Sequence, residues 1–201
     1  MNKEAFIVQL YDSGAIQHGT FTLKSGIESP IYIDLRRIIS HPDMLKTAAE
    51  LLWQQIASCS TDLLCGVPYA ALPFATVVSV EHNIPMIMRR KEQKAYGTKR
   101  ILEGIYSPGQ RCIIIEDLFT SGSSALETVT LLEKEGLIVT DIAILIDRQQ
   151  GGVAHVTNKG YNVHAVYTLE EITSVLLHHK RIDMESYHAI NAFTAQHQCT
   201  L

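Results

Sequence analysis

The stretch Cys112-Ile113-Ile114-Ile115-Glu116-Asp117-Leu118-Phe119-Thr120-Ser121-Gly122-Ser123-Ser124 decides the fold. Four apolar residues in a row, Cys112 to Ile115, end in two carboxylates. A run of small hydroxyl residues around Gly122 then opens a helix over 123–134, closed by Gly136. An apolar run this short, with no polar alternation, reads as a strand buried on both faces. The same unit recurs on either side. Leu63 to Val67 is a buried strand followed by a helix over about 70–82, and Met86 to Met88 is a second strand leading into a charged segment. Val139 to Ile146 and Val163 to Tyr167 are further strands, and Thr168 with Glu171 forms a capping box for the next helix. Short apolar strands alternating with amphipathic helices predict an α/β fold, a mostly parallel twisted sheet flanked by helices. Ligands of such sheets bind beyond the carboxyl ends of the strands. Attention therefore falls on Pro68-Tyr69-Ala70, Arg89 to Glu103, Glu116 to Ser124 and Arg148 to Gly152.

The first 40 residues do not share this rhythm. Residues 3–14 read as a helix ending at Gly14. Phe21-Thr22-Leu23 and Ile31-Tyr32-Ile33 read as two short strands around a turn at Ser25-Gly26, and Pro42 opens a helix. The expected organisation is one domain over 1–201, with a small hood lobe over about 1–40 and the α/β core with C-terminal helices from about 41 onward. At 201 residues, 46% hydrophobic and 19% charged, the chain can bury a sizeable core, which excludes a disordered chain or a disulfide-stapled miniprotein. A net charge of −4 argues against coating nucleic acid or an anionic membrane. Cys59, Cys65, Cys112 and Cys199 are scattered, with no close His completing a zinc spacing, so a structural metal is not expected from the pattern. Such thiols fit a reducing compartment, and with no secretory leader visible the expected location is cytoplasmic. The most apolar stretch, Ala70 to Val80, is too short to span a bilayer.

The turn at 120–124 has the chemistry of a phosphate-monoester cradle. Backbone N–H groups at a helix N-terminus hold the anion, Gly122 lets the main chain approach, and Thr120, Ser121, Ser123 and Ser124 add hydroxyls. Glu116 and Asp117 would repel that phosphate, so they suit vicinal sugar hydroxyls, and a ribose 5-phosphate is the ligand that satisfies both. The alternative is a plain helix cap after an ordinary strand. The segment Arg89 to Arg100 holds six basic residues against Glu92, a balance of +5. The remaining eleven basic and twenty acidic residues leave the rest of the chain at −9. Positive charge concentrated at one strand end suits a pyrophosphate leaving group, with a solvated charge run or a nucleic-acid patch as the alternative.

The 113–124 segment resembles the phosphoribosyl-pyrophosphate (PRPP) motif of type I phosphoribosyltransferases. The chain as a whole resembles orotate phosphoribosyltransferases, particularly the form that makes up the first half of fused UMP synthases. The matching stretches are Phe21 to Gly26, Ser29 to Arg36, Gly66-Val67-Pro68-Tyr69, Arg89-Arg90-Lys91-Glu92, Tyr96 to Arg100 and Asp147-Arg148-Gln149. The resemblance implies transfer of ribose 5-phosphate from PRPP to orotate, giving orotidine 5′-monophosphate and pyrophosphate. Mg²⁺ would be held mainly through PRPP and water, with no direct protein ligand. It also implies a homodimer in which Lys91 reaches the neighbouring site. PRPP-binding positions carried over are Lys24, Tyr69, Ala70, Arg90, Lys91, Lys94, Tyr96 and the run Glu116, Asp117, Leu118, Phe119, Thr120, Ser121, Gly122, Ser123 and Ser124. Orotate-binding positions are Lys24, Tyr32, Ile33, Thr120 and Arg148, and the catalytic set is Lys24, Lys94, Glu116 and Asp117. Arg148 offers a guanidinium shaped to clamp the orotate carboxylate in two hydrogen bonds, with a structural ion pair to Asp147 as the alternative. The chain departs from the family at Ala95, where an Asp is usual, and at Ala70, where some relatives carry Lys. A transferase for another base, and a PRPP-sensing regulator that binds nucleic acid, are the rival readings.

Overall fold

A computed structural model describes residues 2–22, 26–90 and 101–199. The predicted positions Lys24, Lys91, Lys94, Ala95 and Tyr96 therefore lie outside the described residues. Helix α1 (Lys3–Asp12) is capped by the Asn2 side chain, which accepts from the Glu4 N–H, and buries Phe6, Ile7 and Leu10. Strands β1 (Ile16–Thr22) and β2 (Glu28–Ile33) pair antiparallel as a separate two-stranded sheet, and a 3-10 turn, Leu35–Ser40, follows. Pro42 sits in the first turn of α2 (Pro42–Ile56), as its fixed φ favours.

The rest of the chain forms β3 (Leu63–Gly66), α3 (Leu72–His82), β4 (Met86–Arg89), β5 (Leu102–Glu103), β6 (Cys112–Phe119), α4 (Ser123–Lys134), β7 (Asp141–Asp147), α5 (Gly152–Thr157), β8 (Asn162–Thr168), α6 (Leu169–His178) and α7 (Met184–Gln196). The six strands lie in the order β5-β4-β3-β6-β7-β8, all parallel except the short β4–β5 pair. Leu63 to Gly66 and Ile142 to Asp147 are buried without interruption, as continuous apolar runs in a covered parallel sheet require. Both halves of the Thr168–Glu171 capping box are formed.

One boundary differs in a way that matters. β6 does not stop at Ile115 but runs through the two acids to Phe119, where Leu118 pairs with Ile146 and Phe119 with Asp147. Glu116 and Asp117 are thus fixed by ladder hydrogen bonds rather than carried on a loop. The sequence expectation also began the first hood strand too late, because Gln17-His18-Gly19 hides a strand behind polar residues. The hood joins the same hydrophobic cluster as the sheet through Phe6, Leu10, Ile16 and Ile31, and α7 packs on β2.

Candidate active site

At the end of β6, the chain turns over Thr120 to Gly122 into α4. Gly122 is the N-cap at φ +73, and a Cβ there would lie 2.6 Å from Val156 Cγ2. Gly152, opening α5, packs so closely that a Cβ would lie 2.6 Å from the Thr120 carbonyl oxygen. Both positions exclude a side chain, one by conformation and space, the other by space alone. The Ser121 and Ser123 hydroxyls lie 2.8 Å apart, the Ser123 N–H donates to Ser121 Oγ, and the His155 ring Nδ1 faces the Ser121 carbonyl at 3.1 Å. Glu116, Leu118, Phe119, Thr120, Ser121, Gly122, Ser123 and Ser124 enclose a cavity of about 110 Å³. A larger hollow of about 690 Å³ between α1 and the start of α2 takes no residue from the carboxyl end of a strand. The small cavity instead lies at the carboxyl end of β6 and the N-terminus of α4, where an anion can be held.

The two acids are electrostatically unsettled. Burial pushes Glu116 well above the usual carboxylate range, and the neighbouring Asp117 carboxyl raises it further. Burial raises Asp117 too, opposed by Glu116, by backbone N–H groups and by the positive charge of Arg36. Arg36 comes from the hood, where its guanidinium makes a two-bond fork with Asp34, Nε to Oδ1 at 2.6 Å and Nη2 to Oδ2 at 2.9 Å. Its positive charge also acts on Asp117 through space, so the hood contributes to the electrostatics of the sheet site. Neither Arg36 nor His155 is among the site positions that the sequence points to. Arg36 lay inside a matching stretch, whereas nothing in the sequence marks His155.

Arg148 follows β7, and its N–H donates to the Phe119 carbonyl at 2.9 Å, which places it beside the cradle. Its side chain is substantially buried, and Nε has no hydrogen-bond partner among the described residues. Burial lowers its pKa, as it does for any cation taken out of water. The carboxylate of Asp147 is engaged instead by the Gln149 N–H at 2.8 Å. A half-buried guanidinium whose covered Nε–H has no protein partner retains the capacity to bind an anion.

The other predicted residues are placed as follows. The Val67 N–H donates to the Ile115 carbonyl, which sets Tyr69 and Ala70 at the carboxyl end of β3 next to β6. Tyr69 is exposed. Arg90 pairs with Glu103, while Arg89 is tied to α4 through Glu127 and Thr128. Tyr32 is exposed, with its ring stacked on Phe21 at 5.4 Å, whereas Ile33 is half-buried against the core.

Comparison with known proteins fits this geometry. Residues 35–160 match the phosphoribosyl transferase domain family. The orotate phosphoribosyltransferase of Caenorhabditis elegans is 44% identical over 95% of this chain and 85% of its own length. The chain belongs to the orotate phosphoribosyltransferase family. It is an enzyme of the pentosyl-transferring class. The uridine 5′-monophosphate synthase of Bos taurus is 48% identical over 94% of this chain, and the chain spans 40% of that relative's length. The solved UMP synthase of Leishmania donovani superposes with a TM-score of 0.88 at 35% identity, over 98% of this chain and 43% of that one. Membership agrees with the type I phosphoribosyltransferase fold, an α/β architecture with a mostly parallel central sheet.

Proposed function

We propose that this chain transfers the ribose 5-phosphate of PRPP to orotate, forming orotidine 5′-monophosphate and pyrophosphate in pyrimidine (UMP) biosynthesis. The observation that carries the reading is the cradle at the end of β6, where the buried Glu116, followed by the half-buried Asp117, precedes a turn of N–H and hydroxyl donors. In this reading the Ser121 to Ser124 turn binds the 5-phosphate. Glu116 and Asp117 accept hydrogen bonds from the ribose hydroxyls, which compensates their burial. Thr120, Tyr32 and Ile33 border the base, and Arg148 supplies its idle Nε–H to the orotate carboxylate. A ring nitrogen of orotate forms the new C–N bond at the anomeric carbon as the C–O bond to pyrophosphate breaks. The electron pair leaves with pyrophosphate. No covalent enzyme intermediate is needed, so alignment and charge stabilisation do the work.

Lys24, Arg90, Lys91, Lys94 and Tyr96, with the Tyr69-Ala70 loop, are proposed as the pyrophosphate partners. Mg²⁺ fits the site because the buried donors are hard carboxylate oxygens, and it would ride on PRPP oxygens and water rather than on a protein cage. When bound, it supplies positive charge to the departing pyrophosphate. A homodimer in which Lys91 serves the neighbouring site, and a cytoplasmic location, complete the proposal. The cysteines carry no disulfide, and no helix among the described residues is long and apolar enough to cross a membrane.

The test is the loss of orotate ultraviolet absorbance in the presence of PRPP and Mg²⁺. Expected is a PRPP-dependent loss that falls about 100-fold or more in kcat/KM with Arg148→Ala, because truncation removes the largely buried guanidinium proposed to meet the carboxylate. PRPP binding without orotate consumption would overturn the choice of base and leave the phosphoribosyl site standing.

A further inference from the structure

We infer that Cys59, Asp141 and His164 form a binding site for a zinc-class divalent metal ion at the end of the sheet opposite the PRPP cradle. The three residues come from different elements: the loop after α2, the first residue of β7 and the third residue of β8. Cys59 Sγ lies 3.7 Å from Asp141 Oδ1 and 3.8 Å from His164 Nε2, and His164 Nε2 lies 2.7 Å from Asp141 Oδ1. A triangle with those sides has its centre about 2.0 Å from every corner. That is a Zn–N or Zn–O bond length, a little short of the 2.3 Å of Zn–S. All three side chains are half-buried, so an ion can enter and keep a water as fourth ligand.

The arrangement is wrong for a nucleophilic triad. There, the thiol and the carboxylate must engage different nitrogens of the imidazole, whereas here both face Nε2. Convergence of thiol, carboxylate and one ring nitrogen on a single point is what a metal needs. The surroundings support the carboxylate in that role: Thr140 Oγ1 donates to Asp141 Oδ2 at 2.7 Å and Asn162 Nδ2 donates to Asp141 Oδ1 at 3.2 Å. Such outer hydrogen bonds orient a ligating carboxylate. Binding exchanges protons for metal. The Cys59 thiol releases its proton as the S–metal bond forms, and any proton on His164 Nε2 moves to Nδ1 or is released. Thiolate and imidazole favour zinc over Mg²⁺, so the site stays separate from the metal that accompanies PRPP. An ion there would tie the end of α2 to the start of β7 and β8, roughly 20 Å, the length of β7, from the cradle.

The test is a Co²⁺ titration of the full chain without PRPP, read by the thiolate-to-cobalt charge-transfer band, followed by competition with Zn²⁺. Expected is one equivalent that gives the band and is displaced by Zn²⁺. The band should be lost in Cys59→Ser and retained in Cys199→Ser. Apparent Zn²⁺ affinity should fall about 100-fold or more in Cys59→Ser and in His164→Asn, since even outer-shell changes cost 10–100-fold. Zn²⁺ should raise the Tm of the wild type but not of either variant, with orotate turnover unchanged by Cys59→Ser. No thiolate band in the wild type, or a band that survives both Cys59→Ser and His164→Asn, would overturn the site. Cobalt held by Glu116 and Asp117 would give no thiolate band, so that outcome would count against it too.

Discussion

The two ends of the parallel sheet hold their acids in opposite ways. At the carboxyl end, Glu116 and Asp117 stand side by side on β6, both raised by burial, with donors too few to settle them. At the amino end, burial would raise Asp141 as well, but hydrogen bonds from His164, Thr140 and Asn162 outweigh it and hold the carboxyl below its usual range. The first pair leaves hydrogen-bonding capacity for a ligand's donors to fill, whereas Asp141 is oriented by neighbours that leave it facing Cys59 and His164. Functional sites commonly carry such uncompensated groups, and the fold tolerates their cost because the surrounding core is large.

The contrast can be broken most directly at Glu116 and Asp117. Removing either charge, as Glu116→Gln or Asp117→Asn, is expected to lower kcat/KM about 10–100-fold, the worth of a hydrogen bond to a charged group. The same Glu116→Gln change should raise Tm at neutral pH. Both acids have folded pKa values above their unfolded ones, so the native state binds protons that the unfolded chain has lost. Their contribution is least costly in acid and becomes destabilising as pH rises through the unfolded and then the folded value. Thermal melts from pH 4 to 8 should therefore show the Gln variant gaining most at the upper end. A uniform loss of stability instead would mean that the pair is already compensated.

Next in size is the cradle itself. Gly152→Ala places a Cβ against the Thr120 carbonyl and should cost about 1–3 kcal/mol of stability through overpacking, with weaker PRPP binding by calorimetry. Mixing the two impaired variants Lys91→Ala and Asp117→Asn should raise turnover to about a quarter of wild type, well above either alone, because random exchange makes half the dimers mixed and leaves one intact site in each. No recovery would refute sharing across the dimer. The smallest effect is at the amino end. Asp141→Asn should change turnover little and cost about 1 kcal/mol, the net worth of a hydrogen bond. Because the folded pKa of Asp141 is depressed, that loss should be seen above the unfolded carboxylate pKa and fade as pH falls through the folded value.

Much of this was legible in the sequence, for a physical reason. Strands buried on both faces must be continuous apolar runs, so β3, β7 and the first half of β6 declare themselves; the short apolar runs of β4 and β8 are legible beside them although half-exposed, and the Thr168 capping box is a local pattern. What was missed depends on partners. The two-residue β5 and the six-residue α5 are too short to show a period. β6 continues through Glu116 and Asp117 only because β7 offers Ile146 and Asp147 as neighbours. In the site, the segment Glu116 to Ser124 could be read because a phosphate cradle is local in sequence. The Arg36–Asp117 link and the His155 contact with Ser121 could not, because the hood and α5 reach them only in the folded chain. Cys59 is 82 residues from Asp141 and 105 from His164, so no spacing rule for metal ligands could join them.

Arg148 is where the preference of this cradle for a base bearing a carboxylate is decided. Comparison of kcat/KM for orotate and for uracil, which lacks the carboxylate, in the wild type and in Arg148→Ala isolates that contact. The account predicts a strong preference for orotate in the wild type that collapses in the variant, chiefly through loss of the orotate rate. A preference that survives Arg148→Ala would contradict it.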